Sequence, residues 1–242
     1  KAGGIDAWIA RMQDPAIRQT LAQQMREDSD NWDNRLASGG ADTVMLVEFR
    51  NPQLKHLAGK TLAEVAIMRN QSPEETAMDL VIEDRTRVGA MYFNQSEAVV
   101  QKAIQQPWVS FCTDAVTVAP EGDALLNHRH PRTYGTFPRV LGHYVRQLKL
   151  LTLEQAIHRA SGLPATNLSL RDRGFLREGY FADVLVFDPN TIIDQATFQQ
   201  PHQYAVGMEQ VFINGAAVIA DSVPTGATPG RVVRGPGWTG WQ

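Results

Sequence analysis

Apolar residues in several parts of the chain recur every three or four positions, with polar and charged residues between them. This spacing places the apolar side chains on one face of an α-helix. Predicted helices cover residues 5–25 with an interruption near Pro15, 62–69, 72–85, 96–104, 140–150 and 152–161. Two of them begin with a capping sequence, SPEE at 72–75 and TLEQ at 152–155, which predicts a defined first turn.

Shorter apolar runs bounded by glycine, proline or asparagine predict β-strands. They lie at residues 43–49 (TVMLVEF), 107–112 (PWVSFC), 179–187 and 211–220. The last run contains Asn214-Gly215, a strong signal of a two-residue hairpin. Helices and strands alternate in the first part of the chain, whereas short strands dominate its end. The pattern therefore predicts an α/β fold, with part of an α/β barrel followed by a small β-domain.

The segment 115–139 differs from its surroundings, because it is rich in Pro, Gly, His and Arg and shows little periodicity. A loop of this length inside a compact domain is commonly functional. The chain has 242 residues, of which 43% are hydrophobic, enough for one large core or two smaller ones.

Charge and composition argue against several classes of protein. The formal net charge is −3 without a long run of one sign, which provides no electrostatic basis for binding nucleic acid or an anionic membrane surface. No stretch of about 18 apolar residues occurs, so no membrane span is predicted. The single cysteine, Cys112, has no partner for an internal disulfide, and no signal peptide is visible. We therefore expect a cytoplasmic location.

Two side chains around the long loop are candidates for chemistry. Asp114 follows a predicted strand and precedes the loop, the position where catalytic groups lie in α/β barrels. The alternative is a turn-forming or capping aspartate. Arg132 follows Pro131, and an arginine fixed in this way can hold a carboxylate in a two-pronged hydrogen bond. The alternative is a structural salt bridge.

Other motifs carry less weight. His128 and His130 would form a zinc-binding pair if they lay on a strand, but the adjoining Pro131 and the absence of a flanking apolar run favour loop histidines. Cys112 follows Phe111 in an apolar run and is expected to be a buried, inert thiol. The sequence contains no dinucleotide-binding G-x-G-x-x-G after a strand, no phosphate-binding Gly-Lys-Ser/Thr and no G-x-S-x-G around a serine.

The segment 130–142 (HPRTYGTFPRVLG) resembles the HPR-x-x-GTFPR-x-LG stretch of the N-acyl-D-amino-acid deacylases, or D-aminoacylases, a group within the amidohydrolase superfamily. Asp114 lies upstream at the spacing that this group uses. The resemblance covers nearly the whole chain but only the second half of the family's length. Similar segments are the superfamily's closing stretch at 153–157, 161–165 and 172–183, and the deacylase stretch PHQY at 201–204.

The resemblance implies a metal-dependent (β/α)8 barrel with a small β-sandwich domain. Residues 1–172 would form the C-terminal part of the barrel, with a helical lid insert at about 51–97, and residues 173–242 a portion of the β-sandwich and a tail. Asp114 would contact the metal site and act as general base and then as acid. Arg132 would bind the substrate's α-carboxylate, and Tyr92, in the helical insert, would line the substrate pocket.

The implied activity is zinc-dependent hydrolysis of N-acyl-D-amino acids to a carboxylate and a D-amino acid. Most zinc ligands are expected upstream of Lys1, so the partner required would be the missing N-terminal half of the same enzyme, and this chain alone is expected to be inactive. Two alternatives remain open. One is a cyclic-amide hydrolase similar to dihydroorotase or hydantoinase, and the other is a metal-free scaffold.

Overall fold

The computed structural model describes residues 3–240 and divides into two compact units. The first unit comprises the chain up to Gln95 together with Val118–His130, and the second comprises Ser96–Thr117 and the chain from Pro131 onward. Each unit is built around its own apolar clusters, as the composition allows. The domain boundary predicted near residue 172 stays a prediction of the sequence.

The first unit opens with three helices. Helix α1 (Gly4–Gln13) and helix α2 (Pro15–Arg26) are separated at Asp14, and helix α3 spans Arg35–Gly39. The carboxylate of Asp14 accepts hydrogen bonds from two backbone amides of α2, 2.9 and 3.1 Å away, while Pro15 occupies the first helical position. The predicted interruption near Pro15 is therefore confirmed.

A two-stranded antiparallel sheet and two helices complete this unit. Strand β1 (Val44–Glu48) pairs with strand β2 (Gly89–Tyr92), so that Val44 lies opposite Tyr92. Between them run helix α4 (Leu62–Arg69) and helix α5 (Pro73–Asp84). The buried side chains that join β1 to these helices are Val44, Leu46, Phe49, Leu54, Leu57, Leu62, Val65 and Leu80.

The capping box predicted at the start of α5 forms only in part. The Ser72 hydroxyl accepts from the Glu75 backbone amide at 3.2 Å, as predicted. The Glu75 carboxylate, however, accepts from the Arg18 guanidinium at 2.5 Å instead of from the Ser72 amide. A charged partner from α2 forms a stronger bond than the backbone amide would.

The second unit contains the remaining helices. Helix α6 (Glu97–Ile104) comes first, and helix α7 (Arg132–Arg139) continues directly into a wider π-helical segment, Val140–Gln147. Helix α8 (Leu153–Ala160) and helix α9 (Gly162–Asn167) follow. The predicted capping box at the start of α8 is confirmed, since Thr152 and Gln155 bond to each other's backbone amides.

A four-stranded antiparallel sheet ends the chain, with its strands in sequence order. Its members are β3 (Val184–Phe187), β4 (Met208–Ile213), β5 (Ala216–Ala220) and β6 (Val223–Pro224). Asn214 and Gly215 join β4 to β5 with φ values of 50° and 84°. A type I′ hairpin turn requires two residues with positive φ, so this structure confirms the hairpin signal.

Three expectations around the long loop need correction. The segment 107–112 is not a strand: Pro107 and Trp108 lie in a turn closed by the Val109 amide donating to the Gln106 carbonyl oxygen at 3.2 Å, and no strand within residues 3–240 pairs with residues 109–112. Cys112 is exposed rather than buried. The segment 115–139 is only partly a loop, since it contains a short 3-10 turn, Gly122–Leu126, and all of α7.

None of the helices between residues 3 and 240 combines the length and the apolar character needed to cross a membrane.

Candidate active site

Asp114 and Arg132 form an ion pair in the second unit. Arg132 Nη2 lies 3.0 Å from Asp114 Oδ2, and the two side chains are 43% and 80% exposed, respectively. Asp114 has φ 46°, in the left-handed region that Asp adopts more readily than most residues. An ion pair between two exposed side chains contributes at most about 1 kcal/mol to folding stability. Both groups are therefore within reach of a ligand and are held together only weakly.

Arg132 owes its place to local sequence. Pro131 precedes it at the helix start, and the first turn of α7 closes with the Tyr134 and Gly135 amides donating to the Pro131 carbonyl oxygen at 3.1 and 3.0 Å. Proline fits a helix start because its ring fixes φ and its missing amide would have no helical partner there. The Arg132 side chain thus projects from the first residue of α7.

The rest of the HPR-x-x-GTFPR-x-LG segment is used for packing. A β-carbon on Gly135 would lie 2.7 Å from Asp194 Cβ, and one on Gly142 would lie within 3.0 Å of the Ile192 carbonyl oxygen. Arg139 pairs with the largely buried Asp194, 3.3 Å away. Burial acts to lower the pKa of Arg139, but Asp194 and Tyr144 raise it overall. These residues therefore attach α7 to the segment around residues 192–194.

Pro138 explains the change of helix type after α7. It has no amide hydrogen to donate to the carbonyl of Tyr134, and its ring crowds that carbonyl. The chain then widens into the π-helical segment that begins at Val140. The α-helical hydrogen-bond pattern is thus interrupted just before the π-helical segment begins.

The histidines of the loop behave as the sequence indicated. His128 and His130 lie outside any strand, in the first unit. The His128 amide donates to the Val47 carbonyl oxygen at 2.7 Å, and a β-carbon on Gly59 would lie 2.9 Å from His128 Cε1. Throughout residues 3–240, no group of three or more His, Cys, Asp or Glu side chains is arranged to hold a metal ion.

Arg159 is a buried side chain that the sequence patterns did not single out. It lies on α8, is 4% exposed, and its Nε donates to the Val109 carbonyl oxygen at 2.6 Å. A second nitrogen, Nη1, donates to the Ile104 carbonyl oxygen. Arg159 lies three residues after the fully buried Ala156, so both are on the inner face of α8. This spacing is the sequence signal from which its burial could have been predicted.

The family of the chain follows from its similarity to known proteins. The sequence profile of the amidohydrolase family matches residues 1–219. The chain belongs to the amidohydrolase family. Amidohydrolase relatives are α/β proteins, in agreement with the predicted fold class.

This amidohydrolase chain is similar to two curated proteins of Alcaligenes xylosoxydans xylosoxydans. It is 40% identical to a D-aminoacylase over 177 residues, which cover 73% of this chain and 34% of the relative. It is 39% identical to an N-acyl-D-glutamate deacylase over 176 residues, which cover 73% of this chain and 33% of the relative. The chain thus spans about a third of the length of the curated relatives it matches. The resemblance to the deacylase group is confirmed.

A solved structure gives the same result. The chain superimposes with a TM-score of 0.65 on an N-acyl-D-glutamate deacylase of Bordetella bronchiseptica, at 34% identity, over 78% of this chain and 38% of that one. That protein was crystallised with zinc and a phosphonate inhibitor that mimics the tetrahedral intermediate.

Of the three predicted site residues of this amidohydrolase chain, two lie side by side. Asp114 and Arg132 are in contact within the second unit, whereas Tyr92 belongs to the first. Tyr92 is at the end of strand β2 and not in a helix as expected, because β2 pairs with the buried strand β1. The Arg35 guanidinium lies 5.3 Å from the centre of its ring. The roles of all three residues remain predictions.

Proposed function

We propose that this chain supplies part of the active site of a zinc-dependent N-acyl-D-amino-acid deacylase. The proposal rests on one observation. In a chain of the amidohydrolase family that is similar to D-amino-acid deacylases, an accessible carboxylate and an accessible guanidinium lie 3.0 Å apart. The carboxylate can carry a proton and the guanidinium can bind a carboxylate. Hydrolysis of an N-acyl amino acid requires a group of each kind.

Each of these residues has a defined task in the proposed reaction. Arg132 holds the α-carboxylate of the substrate in a two-pronged hydrogen bond and so orients the amide. Asp114 accepts a proton from the attacking water and then donates it to the leaving nitrogen. Water and the amide are consumed, and a carboxylate and a free amine are released. Tyr92 contributes a substrate contact from the insert.

Zinc is the proposed cofactor, but residues 3–240 do not complete a site for it. A catalytic zinc is held by about three protein ligands, whereas Asp114 is one carboxylate. The remaining ligands would come from the part of the enzyme that corresponds to the relatives' unmatched length. The chemistry that bound zinc supplies is polarisation of the amide carbonyl and activation of water. The steps assigned above to Asp114 and Arg132 involve only this chain's own groups.

The architecture proposed with this function follows the family. Residues 1–172 form the C-terminal part of a (β/α)8 barrel, with a lid insert at about 51–97 that excludes water from the reaction. Residues 173–242 form a portion of a small β-sandwich and a tail. The antiparallel sheet β3–β6 supports the second assignment, since sandwich domains are built from such sheets.

The test is turnover by the complete gene product after loading with zinc. N-acetyl-D-methionine, N-acetyl-L-methionine and dihydrouracil are assayed in parallel, with a chelator-treated sample as control. We expect cleavage of the D-substrate alone, lost on chelation. Ring opening of dihydrouracil without deacylation would favour a cyclic-amide hydrolase, and a product without stoichiometric zinc or turnover would favour a scaffold.

A further inference from the structure

Arg159 occupies an environment that is unusual for an arginine. The side chain is 4% exposed, and no carboxylate lies within 4.0 Å of it in the described part of the chain. Burial lowers the pKa of Arg159 below its ordinary value. Within the same residues its Nη2 has no hydrogen-bond partner. A buried guanidinium without a carboxylate is costly, so an apolar side chain of similar volume would suit this core better.

The contacts that Arg159 does make all converge on one segment. Its guanidinium donates to the carbonyl oxygens of Ile104 and Val109, the second at 2.6 Å, and lies 4.6 Å from the centre of the Phe111 ring. The Phe111 amide in turn donates to the Arg159 carbonyl oxygen at 3.2 Å. One residue of α8 therefore holds the chain at both ends of the stretch 104–111.

This segment has few other means of support. Residues 107–108 lie in a turn, and residues 109–112 pair with no strand in the described range, so the ladder of hydrogen bonds that would hold a barrel strand is absent there. Three residues after Phe111 comes Asp114, in a left-handed conformation with an exposed side chain. The position of the Asp114 carboxylate thus depends on how well residues 107–112 are fixed by their contacts.

We propose that Arg159 is the positioning residue for Asp114. It replaces a neighbouring strand by two charge-assisted hydrogen bonds and a ring contact, and it fixes the chain that carries the proton-transferring carboxylate. The inference rests on the proposed function, because it assigns to Arg159 a role in the same reaction. Misplacing a reacting group by about 1 Å is enough to reduce turnover by about 100-fold.

The structure offers a matched control for testing this role. Arg146, in the π-helical segment, also donates to two backbone carbonyl oxygens, those of Pro189 at 3.0 Å and Ile192 at 2.7 Å. These contacts hold a different segment of the same unit. Arg159→Lys and Arg146→Lys therefore remove the same kind of guanidinium anchor, but only the first removes it from the chain that leads to Asp114.

The experiment uses the complete, zinc-loaded gene product and N-acetyl-D-methionine. We expect Arg159→Lys to lower kcat by at least about tenfold with KM within about twofold, and Arg146→Lys to change neither by more than about twofold. Combined with Asp114→Asn, the Arg159→Lys substitution should have almost no further effect on kcat, because both act through the same carboxylate. Arg159→Met, which keeps the volume without the donors, is the second variant.

A readout without turnover separates this inference from the proposed function. Amide hydrogen exchange in the peptide 107–114 should accelerate in Arg159→Lys and stay unchanged in Arg146→Lys. Equal losses of kcat in both variants, a full Arg159→Lys effect in the Asp114→Asn background, or unchanged exchange would each overturn the positioning role. A wild-type enzyme without deacylase turnover but with the expected exchange pattern would contradict only the proposed function.

Discussion

The two halves of the segment 130–142 differ in what they contact. At its start, Arg132 pairs with Asp114, and both side chains remain accessible to a ligand. Further along, Arg139 pairs with Asp194, whose side chain is only 9% exposed, and two glycines allow the backbone of residues 192–194 to approach. The same short motif therefore combines a group suited to chemistry with groups that hold a helix in place. Sequence similarity extends over both halves and so does not distinguish them. The solvent exposure of their side chains does.

The largest effect is expected at Asp114. Asp114→Asn should lower kcat by about 100- to 10,000-fold, because an amide neither accepts nor donates the proton that general acid–base catalysis moves. The melting temperature should hardly change, since the side chain is exposed. Steady-state kinetics with N-acetyl-D-methionine and thermal unfolding measure the two quantities. Asp123→Asn, an exposed aspartate in the turn Gly122–Leu126, is the control and should leave both unchanged. Near wild-type turnover by Asp114→Asn would remove Asp114 from the reaction.

The next effect is expected at Arg132. Arg132→Met should raise KM for N-acetyl-D-methionine by about 10- to 100-fold, since a hydrogen-bonded charge pair contributes about 1.5–3 kcal/mol. The matched control is the carboxamide of the same substrate, which has no carboxylate to bind. Its kcat/KM should change little between wild type and variant. If kcat/KM falls by the same factor for N-acetyl-D-methionine and for its carboxamide, Arg132 does not act as the carboxylate receptor.

A substitution in the packed half of the motif should lower the stability of the fold. A β-carbon at Gly142 would come within 3.0 Å of the Ile192 carbonyl oxygen, so Gly142→Ala forces the backbone apart. We expect a loss of about 1–3 kcal/mol in the free energy of unfolding, measured in urea. Gly230→Ala serves as control, since no atom lies within 4 Å of the added carbon. The comparison between the halves would fail if Gly142→Ala lowered kcat as strongly as Asp114→Asn without loss of stability.

The smallest effect concerns a less exposed ion pair. The hydrogen bond from Arg26 holds the pKa of Glu74 below its ordinary value, with Arg26 Nε 3.0 Å from Glu74 Oε1. A carboxyl whose pKa is lowered on folding stabilises the fold above its unfolded pKa of about 4.3, and this contribution disappears as the pH falls through the folded value. Glu74→Gln should therefore lower the melting temperature by a few degrees near pH 7. The difference from wild type should begin to shrink as the pH falls below about 4.3 and should vanish once the pH is below the folded pKa of Glu74.

The control for this pair is Glu178→Gln, which changes an exposed glutamate that has no ion-pair partner among residues 3–240. Its melting temperature should stay equal to that of wild type both near pH 7 and at a pH below the folded pKa of Glu74. A Glu74→Gln melting curve that is displaced equally at both pH values would mean that the pair with Arg26 does not stabilise the fold through its charge.

Local signals in the sequence determined much of this protein. The serine and threonine caps at Ser72 and Thr152, the break at Pro15 and the Asn214-Gly215 turn all lie where they were predicted. The motif around Arg132 also identified the family and directed attention to Asp114. These features depend on residues within three or four positions of each other, or on a similarity that can be read along the chain, so no distant contact is needed to recognise them.

Other features were decided only by the tertiary structure. The run 107–112 has the composition of a strand, but a strand needs a neighbour, and Arg159 provides the hydrogen bonds instead. The burial of Arg159, the exposure of Cys112 and the pairing of Asp114 with Arg132 each depend on residues far apart in sequence. Such contacts arise from the packing of whole elements, because a residue's own type fixes neither its neighbours nor its distance from solvent.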